Sequence, residues 1–200
     1  MATDGGARGN LAVVGYFIQW INKVPTLSRC LINPSDTLNY KIYSAPTGWA
    51  KDDFITNSAP ATAEHGYAGL LAENVLGLWV QTLDPQGNPI GQKNSLGQSI
   101  GLAGRNFDSR LVYSYTNSVY TVASTNMPSA LPSTVQIAIL VLDSRTAKRL
   151  NGIAAEKPSA TSMTTNFWGD IQSFIAQLPP AIQKGAELQT VTVDLVNGPR

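Results

Sequence analysis

The longest run of β-branched and aliphatic residues lies at 131–143, LPSTVQIAILVLD. In an extended chain Val135, Ile137, Ile139 and Val141 point one way, and Thr134, Gln136, Ala138, Leu140 and Leu142 point the other. The first half is polar on one face and the second half is apolar on both. That pattern predicts a central strand with one end buried on both sides. Leu131-Pro132 sets its start, because proline has no N–H to give a ladder. Asp143-Ser144 ends it and can cap a short helix, SRTAKRL. Arg145, Lys148 and Arg149 are read toward the C-terminal end of that helix, where cations suit the dipole, and Asn151-Gly152 is its predicted stop.

Residues 11–21, LAVVGYFIQWI, predict a second strand, apolar on both faces. Asn22-Lys23-Val24-Pro25 reads as a turn, after which TLSRCLIN (26–33) returns antiparallel. Ser35 or Asp36 is expected to cap a helix carrying Leu38, Tyr40, Ile42 and Tyr43, which stops before Pro46. Residues 46–66 are loop-rich, with one short element at DDFIT. In LLAENVLGLWVQTL (70–83), a short turn or helix at 69–73 is expected before a strand at 75–83. Leu76, Leu78 and Val80 share one face of that strand, and Val75 and Trp79 the other. Asp84 to Pro89 is a turn by composition. The glycine-rich stretch 86–106 is long for a connection within a compact domain. FDSRLVYSYT and SVYTVAS read as weak strands or extended coil.

NFWGDIQSFIAQL repeats its apolar residues at helical spacing, with Phe167, Ile171, Phe174, Ile175 and Leu178 on one face; Pro179-Pro180 ends it. ELQTVTVDLV alternates, which predicts Val191, Val193 and Leu195 inward and Thr190, Thr192 and Asp194 outward. The fold class expected from these pieces is α+β: antiparallel β-sheets with two or three short helices. A single globular domain would cover 11–200, behind a flexible lead-in or trimmed end at 1–10.

Composition narrows the function classes. Charged residues are 14% of the 200, against a usual ~25%, and the net charge is +1. Nothing in that balance marks a nucleic-acid or anionic-membrane surface. Cys30 is the single cysteine, which rules out an intramolecular disulfide; its strand context predicts a buried, inert thiol. No apolar run approaches the ~18 residues of a membrane span, and MATDGGARGN lacks the pattern of a secretory signal.

Motifs that would carry chemistry fail on context. Gly97-Gln98-Ser99-Ile100-Gly101 matches the nucleophile elbow of α/β-hydrolases, but its flanks are loop, and the only histidine, His65, precedes the serine. His65 beside Glu64 is too few ligands for a zinc site. Asp52-Asp53 and Asp84 with Asn88 are acidic turn residues outside the EF-hand pattern, with a weak calcium site in the 84–94 loop left open. Trp20, Trp49, Trp79 and Trp168 are spread through expected elements and read as packing residues. No catalytic, cofactor-binding or metal residue is assigned, and no cofactor.

Taken together, VVGYFIQW, LSRCLINPSDTLNYKIYS, LLAENVLGLWVQTLD with its following GNPIG, FDSR, LPSTVQIAILVLDSRTAKRL and VTVDLV carry a resemblance over residues 11–196. The chain resembles the soluble domain of a type II secretion minor pseudopilin of the J type, and the pseudopilin-like proteins of the Verru_Chthon cassette group. L-A-E-N-V before a strand, followed later by L-P-x-x-V-x-I, is the most specific combination. The resemblance implies a pseudopilin-like globular domain and a structural, non-enzymatic subunit of a type II secretion or type IV pilus-like filament. Its partners would be other minor pseudopilins and secreted substrate proteins, with no nucleic acid. It would stand in the periplasm or at the cell surface, anchored in the inner membrane by an N-terminal helix of the full-length parent. That helix and its prepilin leader are not in this sequence, and Asp4–Asn10 reads as a linker at a cut end. No position is assigned to the partner interface. The rival expectation is an extracytoplasmic ligand- or carbohydrate-binding module using Trp49, Tyr67 or Tyr113 as stacking platforms. A serine hydrolase rests on residues 97–101 alone.

Overall fold

The computed structural model of the chain describes residues 13–33, 67–90, 113–116, 119–122, 131–150 and 166–195. The chain divides into two compact units, Met1–Leu76 and Gly77–Arg200.

In the first unit, β1 (Val13–Ile21), β2 (Val24–Ile32) and β3 (Tyr67–Glu73) form an antiparallel sheet in the order β1-β2-β3. The expected hairpin is present, but its turn is tighter than the composition suggested. Only Asn22 and Lys23 turn, both with positive φ (49° and 68°), so Val24 and Pro25 already belong to β2. Two positive φ values give the twist that matches a right-handed hairpin. Pro25 is tolerated because it lies past the last β2–β3 pair, Thr26–Glu73. One face of β2 is fully buried through Thr26, Ser28, Cys30 and Ile32. Cys30 is a free, buried thiol, as its context predicts. Gly15 stands directly across from it, and a Cβ there would come 2.7 Å from the Cys30 sulfur.

The turn or helix expected at 69–73 is a strand. Alanine, leucine and glutamate favour helix locally, but pairing with β2 satisfies the backbone and overrides that preference. A register shift at Leu27/Ser28 leaves Leu71 unpaired, a β-bulge. Asn74, at φ 63°, turns the chain from β3 into β4; asparagine tolerates this left-handed conformation better than most residues.

In the second unit, apart from the first two residues of β4, β4 (Val75–Leu83), β7 (Thr134–Leu142) and β8 (Ala186–Asp194) form a sheet in the order β4-β7-β8, so β7 is the predicted central strand. β5 (Tyr113–Thr116) and β6 (Val119–Val122) form a separate hairpin. The helices are α1 (Ser144–Leu150), α2 (Phe167–Gln177) and α3 (Pro180–Gln183). Ala138, Phe167 and Ile171 are buried together, and Trp79, Ile175 and Leu188 pack against them. The Trp79 and Phe174 rings meet edge to face at 5.1 Å. α2 therefore covers the sheet face that carries Trp79, Ala138 and Leu188. Pro179-Pro180 ends α2 as expected, but Pro180 also opens α3, because its fixed φ suits a first helical turn.

The α+β assignment is corrected. Strand residues outnumber helical residues by more than two to one among the described elements. They make two three-stranded antiparallel sheets and a hairpin, with three short helices, instead of an α+β domain of pseudopilin type. The physical reason lies partly in 69–73, where sheet pairing wins over helix propensity. The helix expected at 35–45 and the loop at 46–66 lie outside the described residues.

A second correction concerns β8. Val191, Val193 and Leu195, expected inward, are 51%, 42% and 39% exposed. Period two fixes which residues share a face but not which face is covered. The register sets Leu188 opposite Leu140 and Thr190 opposite Ala138, so the even-numbered face turns toward α2.

Candidate functional site

Asp84, Asp143 and Asn166 are committed to local structure by their hydrogen bonds. Asp84, which ends β4, is buried. Its carboxylate accepts from the Gln86 N–H at 2.8 Å, the Asn88 N–H at 2.7 Å and the Asn88 side-chain amide at 2.9 Å. Gly87, at φ 81°, closes this turn, and Ile90 beyond it is fully buried. Three N–H donors aimed at one carboxylate stabilise an anion and leave little of it for a cation. Calcium needs six to eight oxygens, so the Asp84–Asn88 pair is a turn fastener. Residues 91–94 of that loop lie outside the described part.

Asp143 is committed in the same way. Its carboxylate accepts from the N–H groups of Arg145 and Thr146, both at 2.8 Å, and from the Thr146 hydroxyl at 2.7 Å. The Thr146 N–H and then the Thr146 hydroxyl hold it below its ordinary value against an opposing effect of desolvation, with lesser help from the Arg145 N–H and charge. It is the N-terminal cap of α1, as the sequence predicts. Asn166 caps α2 by accepting from the Gly169 N–H at 2.9 Å.

Among the described residues no group of three His, Cys, Asp or Glu side chains could hold a metal ion. Ser99, His65, Glu64, Asp52, Asp53 and Trp49 lie outside the described residues, as do the side chains of Tyr67 and Tyr113. The nucleophile-elbow motif and the stacking-platform expectation therefore have no geometry here. Trp79 is a packing residue, as expected, whereas Trp168 is 46% exposed, with its ring edge-on to buried Phe167. No helix among the described residues is long and apolar enough to cross a membrane.

What remains is a surface. Trp79 lies on the α2 side of β4, so Leu78 and Val80 lie on the opposite face. Val135, Ile137, Ile139 and Val141 of β7 share that face, with Val191 and Val193 of β8 in register opposite Ile137 and Val135. These eight side chains are aliphatic; Gln189 and Glu187 of β8, opposite Ile139 and Val141, continue the same face and bring one charge to its end. The β7 members are half-buried, while Val80, at 40%, and the two β8 valines are open to solvent. Beside this face, β8 is the last strand of its sheet among the described residues. Alternation in TVTVD was visible in the sequence. What the sequence did not show is that the helix NFWGDIQSFIAQL covers only the other side.

No protein-family model, curated protein or solved structure matches the chain.

Proposed function

We propose that the chain is a structural subunit of a type II secretion or type IV pilus-like filament, acting through protein–protein contacts as minor pseudopilins do. The observation that carries this reading is the largely aliphatic face of the β4-β7-β8 sheet away from α2, with Val80, Val191 and Val193 exposed and Glu187, at the start of β8, its one charge among the strand residues. Exposed apolar patches on a folded domain mark places where another surface docks. Depletion of charge at the centre of such a patch is the usual composition of an interface core. The stretches that carry the resemblance to pseudopilins include nearly all of β1, most of β2, all of β4 and β7, and the last four residues of β8. On this reading the domain works in the periplasm or at the cell surface. It docks beside other minor pseudopilins and meets secreted substrates, and an N-terminal helix of the parent protein supplies the membrane anchor.

The test is reconstitution. The purified chain is mixed with the soluble domains of pilin-like proteins encoded beside its gene, and complex formation is followed by light scattering and calorimetry. The expected result is a defined hetero-complex that Val80→Glu weakens at least tenfold. Absence of any complex, with saturable binding to a glycan array instead, would replace this reading with the ligand-binding module.

A further inference from the structure

The edge of β8 has the features of a pairing site. Its register with β7 runs one to one over nine pairs, from Thr134–Asp194 to Leu142–Ala186, with no bulge. Its sequence, AELQTVTVD, has no proline and no lysine. Natural edge strands are guarded by such devices, because an unguarded edge templates another strand. Here every residue from Gln189 to Leu195 is exposed, and no strand lies beyond β8 among the described residues.

The backbone direction is fixed by two hydrogen bonds. The Leu195 N–H donates to the Ser133 carbonyl at 2.7 Å, and the Gly185 carbonyl accepts from the Asp143 N–H at 2.9 Å. Odd-numbered residues of β8 therefore aim their backbone groups at β7. Leu188, Thr190, Thr192 and Asp194 aim theirs at the open edge.

We propose that this edge pairs with the β8 edge of a second copy of the chain, antiparallel about a two-fold axis, giving one continuous six-stranded sheet. The parity of the backbone makes this edge compatible with its own copy. In a two-fold antiparallel pair, outward groups must meet outward groups, so the numbers of facing residues sum to an even value. Glu187 and Asp194, the charges of this strand, then never stand opposite each other. Centring the pair on the exposed run Gln189–Leu195 puts Thr192 on the axis. Val191 faces Val193 of the second copy, and Gln189 faces Leu195. Facing β-branched pairs are the favourable cross-strand unit. The arrangement also joins the two aliphatic faces into one. A seven-residue strand pair buries less than the ~800 Å² per partner of a standard interface, so a weak, reversible dimer is expected.

The inference does not rest on the filament reading. It is tested on the chain alone, at a residue outside the aliphatic face, whereas that reading is tested with added partners and at Val80. Sedimentation velocity over a concentration series is expected to show a monomer–dimer equilibrium. Thr192→Pro removes an outward N–H but no ladder bond to β7. It should raise the dissociation constant at least tenfold with an unchanged far-ultraviolet spectrum, while Thr192→Val leaves it within about twofold. Thr192→Cys should cross-link to itself on oxidation, since a hydrogen-bonded antiparallel pair sets its Cα atoms ~5.5 Å apart, within disulfide reach. The single native cysteine is buried, so the background is low. A chain that stays monomeric to millimolar concentration overturns the proposal. So does a dimer that Thr192→Pro leaves intact, or one in which Thr192→Cys does not cross-link.

Discussion

Gly77 sits in β4 where a side chain has no room, and replacing it with alanine tests how the α2-covered face is packed. The Trp79 ring folds back along its own strand over Gly77. A Cβ at 77 would overlap the ring's Cη2 and Cζ3 atoms and come within 2.9 Å of Cζ2. To accommodate a methyl group the indole must swing away. It then loses its edge-to-face contact with Phe174 and its packing beside Ala138, Phe167 and Ile171. Forced repacking of this kind costs ~1–3 kcal/mol, and the aromatic pair adds ~0.5–1.5 kcal/mol. Alanine recovers ~0.4–1 kcal/mol by restricting the unfolded chain. The net expectation for Gly77→Ala is a loss of about 1–3 kcal/mol, read by urea unfolding followed by circular dichroism. The decisive arm is a double-mutant cycle with Trp79→Ala. Without the indole the clash disappears, so Gly77→Ala should be neutral or mildly stabilising in that background, giving a coupling of at least ~1 kcal/mol. An equal cost in both backgrounds would mean that the penalty belongs to the backbone, and the steric account would be wrong.

Three further outcomes follow from the same geometry. Lys23 is exposed and holds φ 68° in a two-residue turn; Lys23→Gly should raise stability by roughly 0.5–1 kcal/mol, the left-handed strain relieved less the entropy glycine adds to the unfolded chain, and a lowered urea midpoint would contradict this. Asp143 is held below its ordinary 3.8, so its contribution to stability is complete above the unfolded value and is lost as pH falls through the folded one. The melting-temperature gap between the wild type and Asp143→Asn should accordingly be widest above about pH 4 and shrink under acid, and a gap constant from pH 6 to pH 2 would sink the capping account. Asp84→Ala should cost on the order of 2 kcal/mol through lost charge-assisted hydrogen bonds; calcium titration of the wild type should give no heat, and saturable binding that Asp84→Ala abolishes would reverse the assignment.

Strong local patterns were legible before any coordinates. β7 could be read from TVQIAILVL, α2 from the spacing of Phe167, Ile171 and Phe174, and the α1 cap from Asp143 ahead of SRTAKRL. Each of these is decided by neighbours a few residues away. The misses share a different cause, since each depended on what a distant segment does. Residues 69–73 became strand because β2 offered an edge, and no residue within YAGLLAE announces that. The valines of β8 were assigned inward because alternation alone is symmetric, and only the seating of α2 against Ala138 and Leu188 breaks the symmetry. The tight turn at Asn22-Lys23 was obscured by Pro25, a usual turn residue that here lies in β2 beyond the end of β3. Of the candidate surface, the aliphatic composition was readable, but its exposure was not.

The sequence distance between paired strands sets an order of events during synthesis. β1 and β2 are joined by two residues and can close as a hairpin in ~1–10 μs. β4 must wait for β7; Ser133, just ahead of β7, bonds to Leu83 from 50 positions away. Closing a loop of that length instead of two residues costs about 3 kcal/mol more in chain entropy. At ~5–20 residues per second, β4 is made roughly 3–10 s before its neighbour in the sheet. For that interval Leu78, Trp79 and Val80 have no β7 to lie against, and the nascent chain presents a sticky strand to the cell's chaperones. The wait of β4 for its neighbour is thus written into the spacing between two strands.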